Sequence, residues 1–209
     1  MDWTALYLKT SGLKVFILGT GEVATRRANK FLDHGAIVRL AGNSISEDIK
    51  NKGAALYSTD DVDDLVWWAD LVVVASGDKD LSDYVSDISK DKLVNRADFP
   101  YDGDIIVPTS FNIADIEISI FTNGKSPLMA RQLRKRIQSI ITEEDILEIE
   151  LQDYSRSLLK EIISDQKERR KYLYTIFEDE NIKDLIENRE IDKAKAVINE
   201  LIKRDFDDT

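Results

Sequence analysis

The stretch LKVFILGTGEVATRRANKFLDHG (13–35) constrains the fold more than any other part of the chain. A short apolar run ends at Gly19, and a pattern G-x-G-x-x-A follows through Thr20, Gly21, Glu22, Val23 and Ala24. Each small residue has its own task at such a bend: Gly19 permits the tight turn, Gly21 lets backbone approach a pyrophosphate, and Ala24 keeps a helix close to a sheet. Val23, Ala24, Ala28, Phe31 and Leu32 then recur at helical spacing, and Gly35 closes the helix. AIVRLAG (36–42) supplies a second apolar run. Residues 14 to about 42 therefore read as strand, helix and strand, with the length of a right-handed parallel crossover. The unpaired N–H groups and positive dipole end at the helix start are suited to the phosphates of a dinucleotide.

Further strands are expected at 55–59, 70–76 and 92–98, with a helix over 79–90 that carries Leu81, Tyr84, Val85 and Ile88 on one face. This alternation predicts an α/β fold with a Rossmann-like parallel sheet. The second strand ends Ala41-Gly42-Asn43, where many NAD enzymes carry an acid that holds the ribose, so Asn43 or Ser44 must bond the ribose instead. Arg39 stands too far before the strand end to favour NADP, and NAD is preferred. Ala75, Ser76, Gly77 and Asp78 lie on the carboxyl edge of the sheet, either as a cofactor loop or as a plain turn in which Asp78 caps the next helix.

Beyond Asp98 the rhythm changes. DIIVPTSFNI (104–113) and IEISIFTNG (116–124) read as an antiparallel pair, and Ser126 and Pro127 open a helix as N-cap and first residue. Two strands and one helix bury too little to stand alone, so a homodimer built on residues 110–142 is expected. Residues 143–209 read as a helical module with 20 acidic and 12 basic side chains, −8 of the chain's net −11. The boundaries are thus a nucleotide-binding domain over 1–109, a small α+β dimerisation region over 110–142 and a C-terminal helical module over 143–209. In this acidic chain NGKSPLMARQLRKRIQS (123–139) is basic throughout, which suits an anionic small molecule; the overall charge argues against nucleic acid. The absence of cysteine excludes disulfides and thiolate metal sites, and with His34 as the single histidine no metal site is expected. The longest apolar run is far below the roughly 20 residues that cross a bilayer, and no signal segment is expected at Met1-Asp2-Trp3, which points to the cytoplasm.

Taken together, residues 18–40, ASGD (75–78), VNRAD (94–98), DIIVPTS (104–110) and TNGKSPLMARQLRKRI (122–137) resemble the precorrin-2 dehydrogenases, also called siroheme synthase N-terminal proteins, over roughly residues 1–142. The resemblance implies NAD-dependent oxidation of precorrin-2, a tetrapyrrole bearing eight carboxylates, to sirohydrochlorin. It implies Asp98 as the catalytic acid/base, where the residues alone suggest an aspartate capping the turn before Phe99-Pro100. It also gives the basic segment a task, with Thr122, Asn123, Lys125, Ser126, Arg131 and Arg134 holding the substrate. Some members of the family also insert iron into sirohydrochlorin, and that activity stays open. A non-catalytic NAD-sensing regulatory module is the alternative reading.

Overall fold

The computed structural model describes residues 3–206, with side chains described to Arg204. The chain divides into two compact units, Met1–Val107 and Pro108–Thr209. In the first, β1 (Lys14–Leu18), β2 (Ile37–Ala41), β3 (Ala55–Tyr57), β4 (Leu71–Val74) and β5 (Leu93–Arg96) form a parallel sheet in the order β3-β2-β1-β4-β5. Strand order reverses direction between β1 and β4, and this switch point is where open α/β sheets bind ligands. The alternating strand residues serve two cores. Val15, Ile17, Leu71 and Val73 pack with α1 (Glu22–Asp33) and α2 (Glu47–Asn51). Phe16, Leu18, Val72 and Val74 pack with α3 (Val62–Trp68) and α4 (Lys79–Ile88). A strand covered on both faces must be apolar at every position, which explains the continuous runs FIL and LVVV.

α1 ends as the sequence predicts, with one refinement. His34 is the C-cap and Gly35, at φ 79°, follows it; Gly35 N–H bonds Leu32 O at 3.0 Å and Ala36 N–H bonds Phe31 O at 3.0 Å. This paired closure needs a left-handed residue, which glycine adopts without strain. Val23, expected on the apolar face, is exposed at the open end of the helix. The helices α2 and α3 were not anticipated. They are short, and each starts behind a serine-led turn: Ser46 accepts from Ile49 N–H, and Ser58 opens a capping box with Asp61. The strand expected over 55–59 stops at Tyr57 because Ser58 is taken by that box.

The second unit opens with the hairpin β6 (Thr109–Ile113) and β7 (Ile116–Ile120), antiparallel and in register from Thr109 opposite Ile120 to Ile113 opposite Ile116. The strand expected from residue 104 starts only after Pro108, which has no N–H for a ladder. Residues before it fold back on β5 instead, with the N–H groups of Asp104 and Ile105 both reaching Val94 O. α5 (Pro127–Gln138) packs on both hairpin strands. Then come α6 (Glu143–Ile162), α7 (Gln166–Glu178), α8 (Glu180–Glu187) and α9 (Ile191–Phe206) around Leu151, Leu159, Ile176, Ile182, Ala194 and Ile198.

Candidate functional site

The glycine turn sits at the switch point. Gly19, at φ 107°, closes β1 so tightly that a Cβ there would lie 2.4 Å from Ala75 O at the end of β4. Its N–H bonds Ala41 O at 2.9 Å, so the carboxyl ends of β1, β2 and β4 meet at one residue. Thr20 leans on the end of β2: a Cβ on Gly42 would come within 2.7 Å of the Thr20 methyl. Gly21 is the N-cap of α1, with open space where a side chain would be and no side chain capping the first turn. The first turn of α1, with the N–H groups of Glu22, Val23 and Ala24, thus has no side-chain cap from the chain, the kind of donor set a diphosphate needs. Ala24 is fully buried against the sheet, as its packing task requires. These residues fit a dinucleotide.

Around that turn the structure gathers the other expected cofactor residues of the sheet edge. Asn43 and Ser44 are exposed just past β2. Arg39 is stacked 4.0 Å from the Trp68 ring and 5.2 Å from the Tyr57 ring. Past β4, Ala75 and Ser76 are half-buried, while Gly77 and Asp78 are exposed. Asp78 accepts from Leu81 N–H at 3.0 Å and caps α4, and Ser76 Oγ accepts from Asp78 N–H at 3.1 Å. Asp78 is therefore a helix cap, and Ala75, Ser76 and Gly77 connect β4 to it. On the α1 side of β5, buried Asn95 donates to Ile105 O at 2.9 Å and keeps its own carbonyl oxygen unbonded.

Asp98 follows β5 with its side chain 26% exposed. Its carboxylate meets the backbone N–H groups of Asp98 and Phe99 at the turn and reaches back to β5 as well. Its two oxygens take Arg96 Nε–H at 2.9 Å and Nη2–H at 2.8 Å, and the same Nη2 reaches Asp83 on α4 at 3.0 Å. Partial burial works against the charge of Asp98, but the Arg96 hydrogen bond and charge, with the backbone N–H groups of Asp98 and Phe99, outweigh it and hold the carboxyl below the ordinary aspartate range. Arg96 is correspondingly pushed up, first by its bond to Asp98. Arg96 and Asp83 had no assigned role in the sequence. The readable signal was the spacing R-x-D at a strand end, which puts both side chains on one face.

The expected substrate residues lie in the second unit. Asn123, at φ 55°, and Gly124, at φ 70°, make a left-handed turn between β7 and α5, which asparagine and glycine tolerate best. Thr122 Oγ1 accepts from Ser126 N–H at 3.4 Å, and Ser126 Oγ accepts from Met129 N–H at 3.1 Å, bonds that shape the turn. Lys125 and Arg131 are exposed. Arg134 lies with its guanidinium 5.1 Å from the Phe111 ring, a stack that leaves the edge N–H groups for an anion.

Comparison with known proteins agrees with this geometry. A sequence family described as "Putative NAD(P)-binding" matches residues 6–109. A "Putative precorrin-2 dehydrogenase" of Methanocaldococcus jannaschii is 32% identical, covering 86% of this chain and 92% of its own. The precorrin-2 dehydrogenase of Methanosarcina barkeri is 29% identical over 87% of this chain and 85% of its own. Among solved structures, SirC, a precorrin-2 dehydrogenase, superimposes with a TM-score of 0.72 over 93% of this chain and 99% of that one at 24% identity, which supports the fold. With a Rossmann-like domain whose crevice fits a dinucleotide and a relative this similar over nearly its whole length, the chain belongs to the precorrin-2 dehydrogenase family.

Proposed function

We propose that the protein oxidises precorrin-2 to sirohydrochlorin with NAD. The observation that carries the reading is the 32% identity maintained over 86% of the chain, together with an uncapped α1 N-terminus at the switch point. Bound NAD supplies a hydride acceptor. The turn at Gly19, Thr20 and Gly21, with the N–H groups of Glu22, Val23 and Ala24, binds the diphosphate; Asn43 and Ser44 bond the ribose; Ala75, Ser76 and Gly77 border the nicotinamide side of the crevice. Asp98 takes the proton that leaves the macrocycle. Lys125, Arg131 and Arg134 pair with substrate carboxylates, each such charge-assisted bond being about twice as strong as a neutral one. Thr122, Asn123 and Ser126 shape the turn that presents Lys125 and line the substrate beside it.

The half-exposed hairpin suits a homodimer built on residues 110–142, because β7 leaves Ile116, Ile118 and Ile120 only partly covered. No helix among the described residues is long and apolar enough to cross a membrane. As an enzyme that draws on the NAD pool, the protein works in the cytoplasm. The alternative of a non-catalytic NAD sensor finds no support, since the relatives are named as dehydrogenases.

The test is anaerobic incubation with precorrin-2 and NAD, following sirohydrochlorin and NADH absorbance together. Equal accumulation of both is expected; no turnover beside an active control enzyme ends the reading. In the same assay Asp98→Asn is expected to lose roughly 100-fold in kcat, the usual weight of a positioned acid/base group. Adding ferrous ion afterwards tests iron insertion through loss of free sirohydrochlorin.

A further inference from the structure

Arg96 is an unusual residue to bury. Its side chain is 7% exposed, inside the layer between β5 and α4, yet it bears a full charge. Gly103, in the loop that returns along β5, seals it in: a Cβ at that position would lie 2.9 Å from Arg96 N and 3.5 Å from Arg96 Cβ. Burying a guanidinium costs several kcal/mol unless the charge is paired and its donors are used. Here Nε and Nη2 make the parallel fork to Asp98, and Nη2 is shared with Asp83. Both carboxylates are more exposed than the cation they hold, at 26% for Asp98 and 51% for Asp83. The guanidinium is therefore the fixed member, anchored by the fold, and Asp98 is the group being aimed.

The fork has a chemical consequence. The carboxylate of Asp98 gives lone pairs to Arg96 and to the backbone N–H groups of Asp98 and Phe99, all of them donors that favour its charged, proton-accepting form. The charged groups facing the pair are few. Asp83 comes from α4, and from the returning loop comes Asp104, whose carboxylate takes the Val94 N–H at 3.2 Å. Asp83 shares the Arg96 charge, while the backbone N–H groups of Asp98 and Phe99 add to the negative form of Asp98.

We infer that Arg96 is a positioning residue for the reaction: its buried guanidinium, braced by Asp83, fixes Asp98 in one orientation and as a carboxylate, so that Asp98 works as a proton acceptor and not as a proton donor. This rests on the proposed dehydrogenase reading for its reaction. In that reaction one C–H bond breaks with its electron pair leaving as hydride to NAD, and one proton leaves the macrocycle for Asp98. Two electrons and one proton reach the cofactor, one proton reaches the carboxylate, and the ring gains one double bond. A carboxylate clamped in this way passes its proton on to water and is reset for the next turnover.

Two measurements test it. The first uses the intact protein labelled with ¹³C-aspartate, with Asp98 assigned by the missing signal of Asp98→Asn. The Asp98 carboxyl carbon is expected to titrate below the ordinary value of about 3.9 and to move upward in Arg96→Gln. A wild-type carbon titrating at or above that value overturns the inference. The second is steady-state kinetics. Arg96→Gln is expected to lose roughly 10- to 100-fold in kcat, the scale of a misplaced reacting group, with KM changed less than about threefold. Its acid limb of kcat moves to higher pH. Arg96→Lys keeps the charge without the fork and falls between the two, and Asp83→Asn moves in the same direction by less. Arg96→Gln with the wild-type kcat and acid limb overturns the inference. Should Arg96→Gln fail to fold, Arg96→Lys and Asp83→Asn carry the kinetic test, and either must move the acid limb. A wild-type protein that turns over no precorrin-2 sinks the dehydrogenase reading instead, while the titration still decides whether the clamp exists.

Discussion

The five-stranded sheet and the two-stranded hairpin use apolar residues of the same kinds to opposite effect. In the sheet, Val15 to Leu18 and Leu71 to Val74 are all buried, because helices cover both faces. In the hairpin only Phe111 is buried, and Ile116, Ile118 and Ile120 stay half-covered although α5 packs on both strands. The sheet completes its own core; the hairpin presents an unfinished one. A binding crevice that must hold reacting atoms still belongs on the first kind of support, and an interface between copies belongs on the second.

Several substitutions test that contrast, and the largest effect is expected in the sheet. Phe16→Ala should cost about 4 kcal/mol in urea unfolding, as deletion of a fully buried ring does, whereas Phe111→Ala, in a hairpin with no other buried residue, should cost about half that. Equal losses would break the comparison. Gly19→Ala forces a Cβ against Ala75 O in a left-handed conformation and should cost about 2 kcal/mol, with NAD binding, read by calorimetry, reduced below detection. Ser126→Ala removes the cap of α5 and should cost about 1 kcal/mol, raising KM for precorrin-2 more than it lowers kcat. Ile118→Thr should change the stability of the isolated subunit by about 0.5 kcal/mol or less yet shift the sedimentation profile from dimer toward monomer; an unchanged profile would remove the hairpin from the proposed interface. The mildest signature is in acid. The native Asp98 carboxyl lies below its unfolded value, so its contribution to stability is complete above the ordinary aspartate range and is lost as pH falls through the depressed native value. The urea midpoint of Arg96→Gln should lack that part of the acid slope.

Much of this was legible in the residues because it depends on local chemistry. A glycine turn after an apolar run, a Ser-Pro helix start and an Asn-Gly turn each fix backbone geometry within a few residues, and the structure has them at Gly19, Ser126 and Asn123. The helices α2 and α3 were missed because five and seven residues give too little periodicity to distinguish them from loop. The extent of β6 was overread because DIIV is apolar enough for a strand, and only the return to Val94 and the proline reveal it as an edge-covering loop. Asp78 and Asp98 show the same limit from the other side. Both could be read as capping a turn; one caps a helix, and the other is also forked by an arginine whose pairing with Asp83 spans 13 positions of sequence.

Gly21 leaves α1 with no cap of its own, whereas α2, α4, α5, α6, α7 and α8 are each closed by a serine, threonine or aspartate. On the proposed function, the first turn of α1 is a helix end whose cap is supplied in trans. Occupancy of the crevice and stability of the helix are then one equilibrium: a bound diphosphate does for α1 what Asp78 does for α4, and melting temperature becomes a readout of dinucleotide concentration. A Ser or Asp at position 21 would close the helix from within and put the stability of the unliganded fold in direct competition with its affinity.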